Sequence, residues 1–299
     1  MFYRLRDRIH RWRFARACRG VLRTPPVRLD QASGMVVLSQ LPHKDVLLFL
    51  LALKSFARRV PPRTVYVLDD GSLTPDDRSV LRDHVPGLTF FERADFRSAA
   101  CPVGGCWERL LSIGELVRDD YVIQLDSDTL TLGAIDEVGR AVADGFAFIL
   151  GTWDRQGFES MQERAATARK LSKSPRDHVQ LVSEAHLDQL SGFESRRYVR
   201  GCAGFAGYPR RSFERSFVEA TSAEMRRLMG DKWSEWGSEQ VMANIVVASV
   251  ERARVLPHPK YADCHKMRVD LTEFIHFIGS CRFDRDRYAR LGEQVIATL

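Results

Sequence analysis

The sequence lacks an apolar run long enough to cross a membrane. Its longest such run covers residues 46–53, between Lys44 and Lys54, whereas a spanning helix needs roughly 20 apolar residues. The sequence also lacks repeats of fixed period and stretches rich in Gly, Ser or Pro. We therefore expect no transmembrane helix, and one folded domain with ordinary composition.

Closely paired cysteines are missing too. None of the six cysteines forms a Cys-x-x-Cys pair, so we expect reduced thiols and a cytoplasmic protein. Cys101 and Cys106 together with a later His would make an incomplete zinc site, because a second closely spaced pair is absent. We do not expect zinc.

Acidic residues are nearly absent from the start of the chain. Residues 1–28 contain nine Arg and one Asp, so they carry +8, while the net charge of the whole chain is +6 and the other 271 residues carry −2. A basic arm thus precedes an almost neutral domain at 29–299. The charge gives little support to a nucleic-acid groove within that domain, and we expect no nucleic-acid partner.

The arm has a helical pattern. Phe2, Leu5, Ile9 and Trp12 are three or four residues apart, with Arg between them, which predicts an apolar stripe beside a basic face. Residues 1–23 could therefore lie on the cytoplasmic face of an anionic membrane. The alternatives are an extra helix docked on the domain or a frayed terminus.

From Met35 onward, short apolar runs alternate with helical patterns, which predicts an α/β fold with a mostly parallel sheet flanked by helices. In such sheets ligands bind beyond the carboxyl ends of the strands. We predict strands over 35–39, 64–68, 88–91, 121–125 and 146–150, helices over 45–59, 75–84, 105–118, 210–229 and 237–250, one or two helices within 155–196, an apolar block at 201–207, and a strand or loop leading to 274–279.

Two carboxylates follow the predicted strand at 121–125. Asp126 and Asp128 offer hard oxygen ligands on a turn, which suits a divalent cation bound to phosphates. Asp is also common in surface turns, where its side chain bonds the backbone. His276 strengthens the metal interpretation, because Gly279 allows close backbone approach and Arg282 adds a cation. An isolated His in an apolar strand is otherwise more often a core residue.

These motifs resemble the retaining glycosyltransferases of family eight, which have a GT-A fold, an Asp-x-Asp motif and a late His-x-x-Gly-x-x-Lys motif. The likeness covers about residues 35–285. The similar segments are Val67-Leu68-Asp69-Asp70-Gly71, Arg109-Leu110, Leu150-Gly151-Thr152-Trp153-Asp154, Gly201-Cys202-Ala203-Gly204 and Glu239-Gln240-Val241-Met242-Ala243-Asn244.

The resemblance implies a single-domain glycosyltransferase that binds Mn²⁺ or Mg²⁺, takes a sugar from a nucleotide-diphosphate donor such as a UDP-sugar, and transfers it to a saccharide or glycolipid acceptor. It implies Asp126, Asp128 and His276 as metal ligands, Gly279 and Arg282 on the diphosphate, and Asp69, Arg109, Asp154, Ala203, Gly204, Glu239 and Gln240 around the donor, with Asp154, Glu239 and Gln240 as the catalytic candidates.

The chain also departs from the family pattern. It has Ser39-Gln40-Leu41-Pro42 where the family has acidic and Asn residues that hold uridine, and Arg282 replaces the Lys. Residues 155–196 are longer than the usual connection, so we expect acceptor specificity there. The alternatives are an inverting GT-A enzyme with Glu239 as general base, and a non-catalytic sugar or nucleotide binder. A nucleotidyltransferase is disfavoured because no Gly-rich, Arg-containing loop follows the first strand.

Overall fold

A twisted, mostly parallel sheet forms the centre of the protein. The computed structural model describes the backbone of residues 2–299 and the side chains of residues 8–279 and 281–299. The strand order in the main sheet is β10-β6-β9-β4-β1-β2-β3, and β9 runs antiparallel to both of its neighbours. These strands are β1 (Met35–Leu41), β2 (Thr64–Asp69), β3 (Thr89–Glu92), β4 (Tyr121–Leu125), β6 (Ala147–Leu150), β9 (Cys202–Tyr208) and β10 (Ala253–Val255).

Helices cover both faces of this sheet because successive strand residues point to opposite sides. In β1, Met35 and Val37 pack into one apolar cluster, while Val36 and Leu38 pack into the other. The predicted α/β class and mostly parallel sheet are confirmed. The helices are α1 (Phe2–Cys18), α2 (Val46–Ala57), α3 (Pro75–His84), α4 (Trp107–Leu116), α5 (Asp136–Asp144), α6 (Met161–Leu171), α7 (Val179–Glu184), α8 (Arg215–Met229), α9 (Ser238–Ser249) and α10 (Arg287–Ile296).

A second, smaller sheet lies beyond the carboxyl end of β4. Its strands are β5 (Thr129–Thr131), β11 (Tyr261–Asp263) and β12 (Phe274–His276), in the order β11-β12-β5. The pairing of β5 with β12 is antiparallel and sets Thr129 opposite His276. A distant part of the chain therefore returns next to the end of β4.

Residues 155–196 form two helices, α6 and α7, as predicted. A short antiparallel pair, β7 (Glu159–Ser160) and β8 (Arg197–Tyr198), joins the two ends of this segment. Ser160 begins α6 with a capping box: its hydroxyl accepts a hydrogen bond from the Glu163 backbone N–H, and the Glu163 carboxylate accepts one from the Ser160 backbone N–H, which satisfies two free donors of the first turn. The segment is thus a structured part of the domain.

The N-terminal arm is a helix that docks on the domain. In α1, Phe14 and Cys18 are buried against α10, and the Phe14 ring packs on Tyr288 at 4.6 Å between centroids. Ile9 and Trp12 instead face outward, with 48% and 62% of their surface exposed. The side chains of the other two residues of the predicted stripe, Phe2 and Leu5, lie outside the described side chains. None of the helices that the structure describes is both long and apolar enough to cross a bilayer.

The prediction that all cysteines are reduced is wrong for one pair. Cys264 and Cys281 form a disulfide, with 6.0 Å between their Cα atoms. They are 17 residues apart, and the turn after β12 brings them together. Cys18, Cys101, Cys106 and Cys202 are free thiols. The cytoplasmic location that we inferred from reduced cysteines stays a prediction.

Candidate active site

Two carboxylates and an imidazole meet at the carboxyl end of β4. Asp126 and Asp128 lie in the turn between β4 and β5, and His276 ends β12, which is hydrogen-bonded to β5. The Phe277 N–H donates to the Asp128 carbonyl at 2.8 Å and fixes the two segments together. Residues 148 positions apart are therefore held side by side by strand pairing.

The three side chains form a candidate set of metal ligands. His276 Nε2 is 3.1 Å from Asp128 Oδ1 and 3.7 Å from Asp126 Oδ2, and one ligand atom from each residue lies within 4.8 Å of the other two. No other group of three or more His, Cys, Asp or Glu in the described part of the chain has this geometry. Two carboxylates with one imidazole suit a divalent cation such as Mn²⁺ or Mg²⁺ and leave positions for phosphate oxygens.

Two arginines contact the same carboxylates. Arg109, on α4, pairs with Asp126 and also lies 3.4 Å from Glu239 on α9. Arg282 pairs with Asp128, and its Nε donates to the Phe277 carbonyl at 3.2 Å. Buried charges are tolerated when they are paired and hydrogen-bonded, so these contacts balance the carboxylates in the interior.

Strand β9 holds His276 from the other side. The Cys202 sulfur is 3.2 Å from His276 Nδ1, the ring nitrogen that points away from Asp128. The imidazole lies directly on the Gly204 backbone, where a β-carbon would overlap it. The Gly204 carbonyl accepts a hydrogen bond of 2.9 Å from the Asp126 N–H. Gly204 is needed here for close approach to His276.

Replacing Gly204 by Ala is therefore expected to displace His276 and weaken Mn²⁺ binding about 10- to 100-fold, the range seen when the support of a metal ligand is lost. Electron paramagnetic resonance of free Mn²⁺ during a titration measures this. Gly139→Ala is the matched control, because a β-carbon at Gly139 in α5 meets open space. Equal Mn²⁺ affinity in both variants contradicts the role of Gly204.

A cavity of about 350 Å³ contains this cluster, a volume within the usual range for small-molecule sites. Its floor holds the metal cluster, Arg109, Glu239 and Arg282, and other segments form its sides. The remaining lining residues are Gly105, Cys106, Gly151, Thr152, His178, Gln180, Cys202, Ala203, Gly204, Trp236, Gly237, Gln240, Asp263, Ile278 and Gly279.

Comparison with known proteins identifies the fold. No family model and no curated protein matches the chain. Among solved structures, an active-site mutant of LgtC is similar over 89% of this chain and 96% of its own, with 13% identity and a TM-score of 0.51. This chain has the GT-A fold.

Two further solved structures have lower TM-scores. The bifunctional glycosyltransferase WbbM has a TM-score of 0.49 and 14% identity over 91% of this chain, which spans about half of WbbM, 53% of its length. Mouse xyloside xylosyltransferase 1 has a TM-score of 0.45 and 13% identity, over 83% of this chain and 98% of its own. Both of these proteins are glycosyltransferases by name.

In this GT-A domain the pKa values of two buried carboxyls of the cavity, Asp128 and Glu239, are shifted in opposite directions. Burial alone would raise the pKa of Asp128, but His276 and Arg282 outweigh it and lower this pKa to about 2. Burial raises the pKa of Glu239 to about 7; Arg109 opposes the shift and Asp126 adds to it. Asp128 is thus an anion at neutral pH, whereas Glu239 is poised to exchange a proton.

The GT-A cavity brings together most of the residues singled out from the sequence. The metal trio, Arg109, Glu239, Gln240, Ala203, Gly204, Gly279 and Arg282 all line it. Asp69 and Asp154 are not among its lining residues, and their roles at the donor stay predictions. The Asp69 carboxylate accepts from the Gly71 N–H at 2.8 Å and pairs with Arg78, which closes the turn after β2. Asp154 extends into solvent, with 68% of its side chain exposed.

Several cavity residues were not found from the sequence. His178 and Gln180 come from the segment 155–196, in which no motif signals chemistry, and Asp263 ends the short strand β11. Trp236 precedes Glu239 by three residues, but a single Trp in a loop carries no signal by itself. Only the fold brings these side chains to one cavity.

Proposed function

We propose that this protein is a metal-dependent glycosyltransferase that uses a nucleotide-diphosphate sugar. The observation that carries the proposal is the cluster of Asp126, Asp128 and His276 at the end of β4, inside one cavity of a GT-A fold. LgtC, which matches this chain with a TM-score of 0.51, is a galactosyltransferase by name, and this supports the proposal.

The floor of the cavity suits the diphosphate of the donor. Asp126, Asp128 and His276 would hold Mn²⁺ or Mg²⁺, which neutralises negative charge on the departing diphosphate when bound. Arg282 would bind phosphate oxygens as a planar fork. Gly279 has a φ of 45° and begins a short 3-10 helix after β12. It has no β-carbon, so its backbone can approach the same phosphates closely. We propose a UDP-sugar as the donor.

The donor sugar would lie between β9 and the start of α9. Arg109, Gln240, Ala203 and Gly204 surround that part of the cavity, and the Glu239 carboxylate contacts Arg109 at 3.4 Å. Retention of configuration follows from the family resemblance. Inversion with Glu239 as general base is the second candidate, which the raised pKa of this carboxyl favours, because a base works best when its pKa is near the working pH.

A donor panel tests the proposal. UDP-, GDP-, ADP- and dTDP-sugars are incubated with the protein and Mn²⁺, with and without a chelator, and release of nucleoside diphosphate is measured. We expect a UDP-sugar to release its nucleoside diphosphate, and we expect the chelator to abolish this release. Release from none of the donors favours a non-catalytic binder. Anomeric NMR of the product separates retention from inversion.

We further propose that α1 attaches the enzyme to an anionic membrane, near a glycolipid acceptor. Phe14 and Cys18 fix the inner face of α1 to the domain, so Ile9 and Trp12 on the outer face stay available to the bilayer. Arg16 stacks on Trp12 at 5.7 Å and adds positive charge beside it. Exposed Trp with surrounding Arg is typical of helices that lie in the membrane interface.

Sedimentation with vesicles of phosphatidylglycerol and phosphatidylcholine tests this attachment. Changing both Ile9 and Trp12 to Ala should reduce the bound fraction about tenfold, since both contribute apolar area. Val269→Ala, at a side chain of similar exposure elsewhere, is the control. Equal sedimentation of all three proteins rules out attachment through this face.

A further inference from the structure

Trp236 stands at the mouth of the cavity. It is the most exposed of the five tryptophans, with 76% of its surface accessible, and yet it lines the same cavity as the buried Glu239 three residues later. Single exposed apolar residues are common on proteins. An indole at the rim of a site with converging polar groups is a different case, because it offers a large flat surface to a ligand.

The position of this indole is fixed by its neighbours. Trp233, three residues earlier, is fully buried and donates its Nε1–H to the Ser222 hydroxyl at 3.0 Å. Gly237 follows with φ of 103°, and a β-carbon there would approach His178 at 3.0 Å. The His178 ring meets the Trp236 ring edge to face, with 6.2 Å between centroids. These contacts therefore hold the loop on both sides of Trp236 in place.

The wall beside Trp236 carries hydrogen-bonding groups from His178, Gln180 and Gln240. The Gln240 amide nitrogen donates to the Gln180 side-chain oxygen at 3.3 Å, and His178 Nδ1 accepts from the Gln180 N–H at 3.2 Å. Each amide keeps further donor or acceptor capacity. The cavity is therefore graded, from a charged floor to an aromatic and amide-rich rim.

We propose that Trp236 is the platform on which a pyranose ring of the acceptor stacks, while the Gln180 amide, held by Gln240, binds its hydroxyl groups. The inference rests on the proposed function, in which the donor diphosphate occupies the charged floor and the acceptor enters last, at the rim. The C–H face of a pyranose is apolar and flat, so it matches an indole, and its hydroxyl edges match amides. The acceptor is thus an uncharged saccharide at the site of attack.

Two assays with one set of variants test the platform. With the donor found in the panel, nucleotide release is measured without acceptor and then with methyl β-glucoside, methyl β-galactoside, methyl α-mannoside, lactose and maltose. Trp236→Ala should raise the acceptor KM about tenfold and leave acceptor-free release and the donor KM unchanged. Trp236→Phe should restore most of the affinity. Val269→Ala, at an exposed apolar residue that does not line the cavity, should match the parent protein.

Tryptophan fluorescence during titration with the same saccharides is a readout that needs no turnover. We expect a change in the parent protein that Trp236→Phe removes. An unchanged acceptor KM in Trp236→Ala overturns the platform, as does a change in donor KM alone. Donor cleavage with no saccharide bound or used also overturns it. If no donor is cleaved but saccharides still change the Trp236 fluorescence, the proposed function fails and the saccharide site stands.

Discussion

Changing Asp128 to Asn is expected to abolish Mn²⁺ binding and to lower nucleotide release about 1000-fold, which corresponds to roughly 4 kcal/mol of lost charge stabilisation. Asp128 is buried, contacts His276 at 3.1 Å and pairs with Arg282. Asn keeps the shape and removes the negative charge. Mn²⁺ titration by electron paramagnetic resonance and the nucleotide-release assay measure both effects.

Asp120→Asn separates the loss of a metal ligand from the loss of a buried ion pair. Asp120 directly precedes β4, whereas Asp128 lies shortly after it. The two residues are buried to a similar degree, and Asp120 pairs with Arg63 at 2.5 Å. We expect this control to leave Mn²⁺ affinity unchanged. Normal Mn²⁺ affinity in Asp128→Asn, or an equal loss in Asp120→Asn, contradicts the metal role of Asp128.

Periodicity in the sequence predicted five of the seven strands of the main sheet; β9 was expected only as an apolar block, and β10 was not predicted. The bounds of β4 and α3 match the structure, because β4 is a fully buried, mostly apolar run between polar turns, and Thr74 with Asp77 caps α3. The position of His276 beside Asp128 came from motif and resemblance alone. It depends on the register between β5 and β12, which a three-residue strand does not reveal in sequence.

For the other residues, one sequence pattern is compatible with more than one arrangement. Asp69 lies at the end of a strand, much as Asp126 does, but its carboxylate accepts hydrogen bonds from the backbone of its own turn. An Asp at the end of a strand can either bond its own turn in this way or bind a ligand, and the sequence does not distinguish the two. The pattern in α1 predicted a helix and not its orientation, since Phe14 packs inward while Trp12 faces out. Cys264 and Cys281 become neighbours only through the turn that follows β12.

Changing Glu239 to Gln is expected to slow sugar transfer about 1000-fold, within the range for loss of a general base or a nucleophile. Glu239 is only 4% exposed, and its pKa is about 7. In the parent protein we therefore expect the rate to rise as pH increases through about 7, where the carboxyl loses its proton. The variant should lack this pH-dependent rise in rate and still bind Mn²⁺. Initial rates of both proteins between pH 5.5 and 9 measure the rise.

The same substitution should change how stability depends on pH. Burial raises the pKa of Glu239 from 4.5 to about 7, so the folded state binds this proton more tightly than the unfolded chain does. The stabilisation is complete below pH 4.5 and is lost as pH rises through 7, which amounts to about 3 kcal/mol at most. Urea unfolding should therefore show Glu239→Gln gaining stability relative to the parent between pH 5 and pH 8.

Glu184→Gln is the matched control for both effects. Glu184 is a fully buried carboxyl whose pKa burial also raises, against Arg200 and Arg164, and it does not line the cavity. We expect this variant to alter stability and to keep the pH–rate step of the parent protein. If it loses the step, or if Glu239→Gln keeps it, the proton that governs transfer belongs to another group. In that case burial alone would explain the raised pKa of Glu239, and this residue would take no part in the reaction.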